Sequence, residues 1–371
     1  MNEKGHIKND EEAKLLFKSL YQKFGYKQYK MSKFEEYDLY AENKNFLLNS
    51  NIITFTDING KLMALKPDVT LSIAKNVKDT EGTQKVYYSE NVYRARKGDS
   101  GFREIMQTGL ECMGNIDIYS VGEVIMLAAK SLEEISPNYL LDISHTGFVY
   151  ELFKDIPETK REALLEYVNA KNPVGIRRMC QEFGLGTSIT EKAVRLASLY
   201  GSFEEVIDEL KKLSINDNTD SAIDELEEVY KMLRIWGCHK NINIDFSIIN
   251  DMSYYNGIVF KGYVLGIPTN ILSGGRYDRL LHKLGKNAGA IGFALYLDLL
   301  DWLSGEDKSF DADVLIVYDN CLKADIISKA VMELSLDGES VLVLGQIPPK
   351  GKFKKTVKIT ERGLETIETV D

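Results

Sequence analysis

The sequence predicts an α+β fold in which an antiparallel sheet is flanked by helices, with a helical insertion and a small α/β unit at the C-terminus. Three observations lead to this prediction. Strand-like stretches follow one another before residue 118, hydrophobic positions then repeat with a helical period to about residue 236, and strand and helix patterns alternate after residue 309. Short connections between the early strands favour antiparallel pairing, because parallel neighbours need a longer crossover.

The first half of the chain begins with a helix and continues with strands. Residues 11–25 place apolar side chains at positions 15, 16, 20 and 21, the spacing of an amphipathic helix. NIITFTDINGKLMALK has two β-branched runs around Asn59-Gly60, which is a strong hairpin signal. KVYYSENVYRA and REIMQTGLECMG predict two more strands.

The second half predicts an insertion and a separate C-terminal domain. Helices are expected in VGEVIMLAAKSLEEI, TKREALLEYVNA, EKAVRLASLYG and AIDELEEVYKMLRIWG, which gives a helical insertion at 150–236 within a core of 1–305. INIDFSIIN and SYYNGIVFKGYV read as strands, and a helix is predicted near GFALYLDLLDWL. The strand ADVLIVYD, a helix and the strand SVLVLG predict a small α/β domain at 309–371.

Composition limits the classes of function. Hydrophobic residues make up 44% and charged residues 27% of the chain, as in soluble globular proteins. The four cysteines are widely spaced and the four histidines form no metal-ligand motif, so neither a disulfide framework, a metal nor a cofactor is expected. The N-terminus lacks an apolar leader, which favours a cytoplasmic protein without a membrane partner. A net charge of −10 argues against a nucleic-acid partner.

A polar strand face is the first candidate binding surface. The two-residue period of REIMQTGLECMG places Gln107, Gly109 and Glu111 on one face. Gly109 has no side chain, so a ligand can approach the backbone there, between two polar groups about 13 Å apart along the strand. A solvated sheet face would give the same pattern.

Three further motifs surround this strand in the sequence. LKPDVT places Asp68 and Thr70 at the start of a predicted helix, where an aspartate commonly serves only as a cap. YYNGIVF sets Tyr255 beside a glycine, although tyrosines are also common in cores. SGGRYD has two glycines before Arg276, which admit a close backbone approach but are also typical of a turn.

The order of these motifs is far more specific than any one of them. LKPDVT, VYR followed by FREIMQTGLECMG, YYNGIVF and SGGRYD resemble the catalytic core of histidyl-tRNA synthetase, which has the class II aminoacyl-tRNA synthetase fold. The resemblance covers residues 10–305. It implies a class II synthetase-like sheet, with L-histidine as the ligand.

The resemblance also implies a set of histidine-binding residues. In that family an acidic residue and a threonine hold the amino group of histidine, a strand carries a glutamate and a glutamine of which the glutamate faces the imidazole, and paired tyrosines close over the ring. The glutamine is expected at the amino-group end of the ligand. The residues at these positions here are, in the same order, Asp68 and Thr70, Glu111 with Gln107, and Tyr254 with Tyr255.

Two departures from the synthetase remove positive charge. The synthetase has an arginine four residues before its tyrosine pair, and that position here is Asn250. A second arginine that holds the ATP phosphates is replaced by Leu299. Losing one preorganised charge contact typically costs a factor of about 100 to 1,000 in rate, so we expect no catalytic residues and no adenylate formation. Arg94 is the expected substitute for the carboxylate-binding arginine at Asn250.

Smaller departures lie in the first two synthetase motifs. Arg94 and Arg103 are retained, but Arg96 stands where an acidic residue that helps to place ATP is expected. Ser32 replaces the proline of motif 1, the motif through which class II relatives form dimers. A homodimer is nevertheless expected for the isolated chain.

These losses, together with Asp68 in place of a glutamate and the phrase LLDISHTGF, resemble the regulatory subunit family of ATP phosphoribosyltransferase. That resemblance implies a non-catalytic partner of a short catalytic subunit, which it activates and makes sensitive to histidine in the first step of histidine biosynthesis. Residues 309–371 resemble a shortened anticodon-binding domain. The alternatives are an active histidyl-tRNA synthetase and an ATP-dependent amino-acid ligase, and both require the missing cations.

Overall fold

The computed structural model describes residues 10–43, 52–77, 82–95, 101–249, 254–303, 310–319, 322–360 and 363–369. The chain divides into two compact units, Met1–Leu303 and Ser304–Asp371. Within the described ranges, no helix is both long enough and apolar enough to span a bilayer.

The first unit contains most of the secondary structure. Its helices are α1 (Asp10–Lys23), α2 (Tyr37–Glu42), α3 (Thr70–Asn76), α4 (Ile118–Ile135), α5 (Thr146–Phe153), α6 (Glu158–Asn169), α7 (Pro173–Glu182), α8 (Thr187–Ser198), α9 (Phe203–Lys212), α10 (Asp217–Ile235) and α11 (Asp278–Lys283). Its strands are β1 (Lys27–Gln28), β2 (Phe34–Glu36), β3 (Thr54–Thr56), β4 (Leu62–Leu65), β5 (Gln84–Ala95), β6 (Phe102–Gly114), β7 (Tyr139–His145), β8 (Tyr200–Ser202), β9 (Ile242–Asp245), β10 (Ile258–Val264), β11 (Leu272–Arg276) and β12 (Gly289–Tyr296).

A large sheet forms the centre of this unit, in the order β1-β5-β6-β12-β11-β10-β7-β9-β8. The predicted antiparallel pairing is confirmed from β5 through to β7. Two pairs towards the edges, β1 with β5 and β7 with β9, are instead parallel. Both parallel pairs join strands separated by long stretches of chain that include helices, which is the length that a parallel crossover requires.

The hairpin predicted around Asn59-Gly60 is present between β3 and β4, and β2 pairs with the other side of β4. Gly60 has a φ of +81°, a conformation that glycine adopts without strain. The Asp57 carboxylate accepts hydrogen bonds from the backbone N–H groups of Asn59 and Lys61, which stabilises the turn.

The predicted helices of the second half are present as α4, α6, α8 and α10. Asp117 caps α4 by accepting a hydrogen bond from the N–H of Ser120, and most of α4 is buried against the central sheet. The uninterrupted helical pattern from 118 to 236 is wrong at residues 139–145, which form the interior strand β7 between β10 and β9. A short apolar run such as YLLDIS does not distinguish a buried strand from a buried helix by periodicity.

The helix predicted near GFALYLDLLDWL is also wrong for its first half. Gly289–Tyr296 is strand β12, paired on both sides, and only Leu297–Trp302 is helical, as a 3₁₀ helix. SGGR is not a turn but part of strand β11. The space that a side chain at Gly274 would need is filled by the Phe260 ring and the Gly292 carbonyl.

The second unit is a four-stranded sheet with one described helix. Its elements are β13 (Ala312–Tyr318), α12 (Ala324–Leu336), β14 (Val341–Leu344), β15 (Phe353–Thr360) and β16 (Gly363–Thr369), in the sheet order β14-β13-β15-β16. β13 runs parallel to β14 and β15, as expected for a βαβ arrangement, while β15 and β16 form a hairpin. Ala330 of α12 packs against Val314, Ile316 and Val357.

Candidate functional site

The structure brings all seven predicted site residues into one pocket on the central sheet. Strands β5 and β6 supply three of them, the start of α3 supplies two, and the segment before β10 supplies the tyrosines. They are Asp68, Thr70, Arg94, Gln107, Glu111, Tyr254 and Tyr255.

Glu111 lies at the buried end of this pocket, with 1% of its surface exposed. The Thr70 hydroxyl donates a hydrogen bond to Glu111 Oε1 at 2.6 Å, and the Tyr277 hydroxyl donates to Oε2. Burial raises the pKa of Glu111 to about 8, against these two hydrogen bonds, which lower it. Gly292 of β12 pairs with Glu111 of β6, and a methyl group at position 292 would overlap the Glu111 carboxylate. Glu111 is therefore held in one position, with capacity left to pair with a ligand N–H.

Asp68 has two roles in the structure. Its Oδ1 accepts a hydrogen bond from the Leu71 N–H at 2.9 Å, so it does cap the first turn of α3. Its Oδ2 lies 3.8 Å from the Arg94 guanidinium. Burial raises the pKa of the Asp68 carboxyl, and the positive charge of Arg94 opposes that shift. Capping fixes the carboxylate at the pocket wall, where it can pair with an ammonium group.

Arg94 is the one cationic side chain among the described residues that line the pocket. Its Nε donates to the Pro67 carbonyl at 2.8 Å, which anchors the guanidinium beside Asp68. A carboxylate ligand in the pocket therefore has a single cation to pair with. The two remaining guanidinium nitrogens suit that planar group.

Gln107 is buried, and its Nε2 has no hydrogen-bond partner among the residues that the structure describes. An unpaired buried amide costs about 1 to 3 kcal/mol, so a ligand that satisfies it gains that amount. The amide nitrogen can donate to a carboxylate, and after a flip its oxygen can accept from an ammonium group. Gln107 thus suits the backbone end of an amino acid.

The two tyrosines form an aromatic wall. The rings of Tyr254 and Tyr255 lie 4.6 Å apart at 75°, and Tyr277 packs against Tyr254 at 5.7 Å. Gly275 makes room for this wall, because a Cβ there would come within 2.7 Å of the Tyr255 ring. An edge-to-face aromatic arrangement of this kind suits a planar ligand ring.

Gly109 does not serve the role that the sequence predicted. A Cβ at this position would lie 2.7 Å from the Tyr88 hydroxyl and would also overlap the Phe293 carbonyl. The glycine therefore admits Tyr88, a residue of the protein, and leaves no space for a ligand at the backbone.

Sequence reasoning missed several residues of the pocket. Tyr88 could have been predicted, because alternate residues of a strand share a face and a two-residue period counted back from Arg94 along β5 reaches Tyr88. Tyr277 stands in the SGGRYD motif, but nothing in the sequence indicates its bond to Glu111. The further lining residues are Tyr88, Ser273, Gly274, Tyr277, Gly292, Phe293, Ala294 and Tyr296.

The positions that depart from the synthetase lie in different settings. Leu299 is half-buried and packs against the apolar core of the first unit, so this position offers no charge to a phosphate. Arg103 is exposed and does not line the pocket. Asn250 and Arg96 lie outside the described residues. The Ser32 hydroxyl accepts a hydrogen bond from the Phe34 N–H at 3.1 Å at the start of β2.

Known proteins resemble this chain over most of its length. The family described as Histidyl-tRNA synthetase matches residues 5–300. An ATP phosphoribosyltransferase regulatory subunit from Thermoanaerobacter pseudethanolicus is 30% identical over 363 residues, which cover 95% of this chain and 92% of the relative.

Two solved structures with the same fold have names that refer to ATP phosphoribosyltransferase. The crystal structure of an ATP phosphoribosyltransferase regulatory subunit/histidyl-tRNA synthetase from Bacillus halodurans has a TM-score of 0.77 at 25% identity, over 93% of this chain and 92% of that one. A chain of the ATP phosphoribosyl transferase complex from Thermotoga maritima has a TM-score of 0.62 at 21% identity, over 78% and 97% respectively, which shows the fold. The chain belongs to the histidyl-tRNA synthetase-like family, and within it to the ATP phosphoribosyltransferase regulatory subunits.

Proposed function

We propose that this chain is the regulatory subunit of an ATP phosphoribosyltransferase and that it binds L-histidine in the pocket described above. It pairs with a short catalytic subunit, activates it and makes it sensitive to histidine. The observation that carries the proposal is the bonded group Thr70–Glu111–Tyr277, which leaves a buried carboxyl facing an aromatic wall. The relative from Thermoanaerobacter pseudethanolicus and the Thermotoga maritima complex support the choice of partner.

The ligand's groups match the residues in the pocket. Its ammonium group pairs with Asp68, its carboxylate with Arg94 and Gln107, and its imidazole with Glu111 beneath the Tyr255 ring. The sequence placed Gln107 and Glu111 at opposite ends of the ligand. The 2.6 Å bond between Thr70 and Glu111 brings the amino and imidazole subsites close together, as a ligand the size of one amino acid requires.

A reconstitution experiment tests the proposal. The purified chain is mixed with a short catalytic phosphoribosyltransferase, and the rate of product formation is measured with and without histidine. We expect activation by the wild-type chain and inhibition on adding histidine. The Glu111→Ala variant should still activate but should lose histidine inhibition. Equal rates with and without the chain would contradict the regulatory assignment.

Dimer formation is proposed through the three-stranded sheet of β2, β4 and β3, which begins just after the motif 1 position Ser32. Phe34 and Phe55 are both exposed, with ring centroids 5.3 Å apart, and Leu62 beside them is exposed as well. Clustered exposed apolar side chains of this kind mark protein interfaces. Light scattering at micromolar concentration should report a homodimer, and Phe55→Glu should shift it towards monomer, whereas Lys354→Glu in the C-terminal unit should not.

An active synthetase is the second candidate, because the matching family and the name of the Bacillus halodurans relative both refer to histidyl-tRNA synthetase. Adenylate formation would need a cation where Leu299 packs into the core. Histidine-dependent pyrophosphate exchange distinguishes the two functions.

A further inference from the structure

A chain of polar side chains connects the tyrosine wall of the pocket to the helical insertion. At its sheet end, this chain of contacts begins with Asn256, which directly follows Tyr255. The Asn256 N–H donates to the Arg276 carbonyl at 3.0 Å, and its Nδ2 donates to Asp278 Oδ2 at 3.0 Å. The Arg276 Nε donates to the same oxygen at 2.9 Å. Asp278 thus ties the backbone after the tyrosines to the Arg276 side chain.

The insertion reaches the same point through Glu225 of α10. Glu225 Oε2 lies 2.9 Å from His145 Nε2, and Oε1 lies 3.9 Å from Arg276 Nη1. His145 is the last residue of β7. One carboxylate from the insertion therefore contacts two side chains that belong to two different strands of the central sheet.

The residue after His145 holds the tyrosine segment from its other side. The Thr146 N–H and its hydroxyl both donate to the Gly257 carbonyl at 2.9 Å. Gly257 itself lies against Arg276, since a Cβ there would be 3.0 Å from the Arg276 Cδ. Asn256 and Gly257 are thus held between Arg276 and Thr146. Arg276 is itself a partner of Glu225, and Thr146 directly follows the other partner, His145.

The charges at Glu225 support a fixed contact. Burial acts to raise the pKa of Glu225, but the His145 hydrogen bond and the positive charge of Arg276 lower it overall. The carboxylate is therefore charged at neutral pH and attracted to both neighbours. If a substitution removes the charge of Glu225, Arg276 still has its hydrogen bond to the Asp278 carboxylate. Such a substitution would therefore weaken the contacts that hold Asn256 and Gly257 without leaving the half-buried charge of Arg276 unpaired.

We propose that Glu225 is a positioning residue for the pocket. Through His145 and Arg276 it holds Asn256 and Gly257, and these two residues keep the preceding Tyr255 in place for the ligand. The inference rests on the proposed function in taking histidine as that ligand. It goes further in assigning the helical insertion a part in setting histidine affinity. Because coupling between sites is reciprocal, bound histidine must then also stabilise the position of α10.

Calorimetry with histidine on matched variants tests this role. Glu225→Gln keeps the shape and removes the charge, and we expect its dissociation constant to rise about tenfold, within the usual range of coupling between sites. The control is Glu228→Gln on the same helix, whose partner Lys231 is exposed, and it should bind as the wild type does. Asn256→Ala should weaken binding to a similar degree.

The double variant separates a positioning role from general loosening of the fold. If Glu225 and Asn256 act on the same segment, the losses of affinity in Glu225→Gln combined with Asn256→Ala should be less than additive. Hydrogen exchange should show that histidine protects α10 in the wild type and not in Glu225→Gln. Affinity within twofold of wild type in Glu225→Gln, or additive losses in the double variant, would overturn the positioning role of Glu225. Either result would leave the proposed function intact. Failure of the wild type to bind histidine would overturn it together with the proposed function.

Discussion

The Glu111 end of the pocket and the region around Leu299 differ sharply in what they offer a ligand. At the first, the buried carboxyl of Glu111 is held by the hydroxyls of Thr70 and Tyr277. At the second, where the synthetase resemblance expects a phosphate-binding arginine, Leu299 packs into the apolar core. Under the proposed function, recognition of an amino acid and its activation by ATP depend on separate residues, and one can be kept while the other is lost.

The largest effect on histidine affinity should come from truncating the carboxylates of the pocket. Removing one partner of a buried charge-assisted contact typically costs about 2 to 5 kcal/mol, so Glu111→Ala or Asp68→Ala should weaken histidine binding by about thirtyfold or more. Calorimetry measures the change, with Lys354→Ala, an exposed residue of the C-terminal unit, as the control. Unchanged affinity in Glu111→Ala would mean that histidine binds elsewhere.

A smaller effect should follow from filling the space opposite Glu111. In Gly292→Ala the new methyl group would overlap the Glu111 carboxylate and force it to move. Overpacking of this kind costs about 1 to 3 kcal/mol of stability, and we expect about tenfold weaker histidine binding. Gly285→Ala is not a suitable control because of its positive φ, whereas Gly186→Ala is, since nothing lies within 4 Å of its added Cβ. Histidine affinity equal to wild type in Gly292→Ala would show that the position of Glu111 is not critical.

The burial of Glu111 should appear in the pH dependence of stability. The pKa of a glutamate carboxyl is ordinarily 4.5, and burial raises that of Glu111 to about 8 in the folded chain, so the folded state binds more protons between these values. The contribution of Glu111 to the stability of the wild type therefore falls as pH rises from 4.5 to about 8. Glu111→Gln removes this loss, and its melting temperature should exceed that of the wild type by about 3 °C or more at about pH 8, with a smaller difference at about pH 5.

This comparison isolates Glu111 together with its electrostatic coupling to Asp68. Asp142 also has a raised pKa, of about 7, because of burial, but it is present in both proteins and its contribution cancels. A melting-temperature difference that stays constant across this pH range would contradict the raised pKa of Glu111.

The smallest effect is expected at the Leu299 region. The wild-type chain should give no histidine-dependent pyrophosphate exchange, and Leu299→Ala should change neither that result nor histidine affinity by more than about twofold, because the side chain binds no ligand. Because Leu299 is half-buried, its truncation should cost less stability than the about 2 to 5 kcal/mol typical of a fully buried leucine. Exchange at a rate typical of synthetases would favour the second candidate function.

The sequence by itself determined the motifs, the hairpin, most helices and the seven residues that converge in the pocket. These inferences depend on local properties: strand and helix periods, the Asn59-Gly60 turn, and the ordered motifs that carry the family resemblance. They needed no knowledge of which strands pair at a distance.

Tertiary structure alone decided the rest. YLLDIS and GFALY became strands because partners far away in the chain bind both of their edges, and Gly109 admits Tyr88 rather than a ligand because β5 lies beside it. The bonds from Tyr277 to Glu111 and from Glu225 to His145 join residues 166 and 80 positions apart. Periodicity describes one element at a time, so contacts over such distances, and the site that they build, follow only from the packing of the whole sheet.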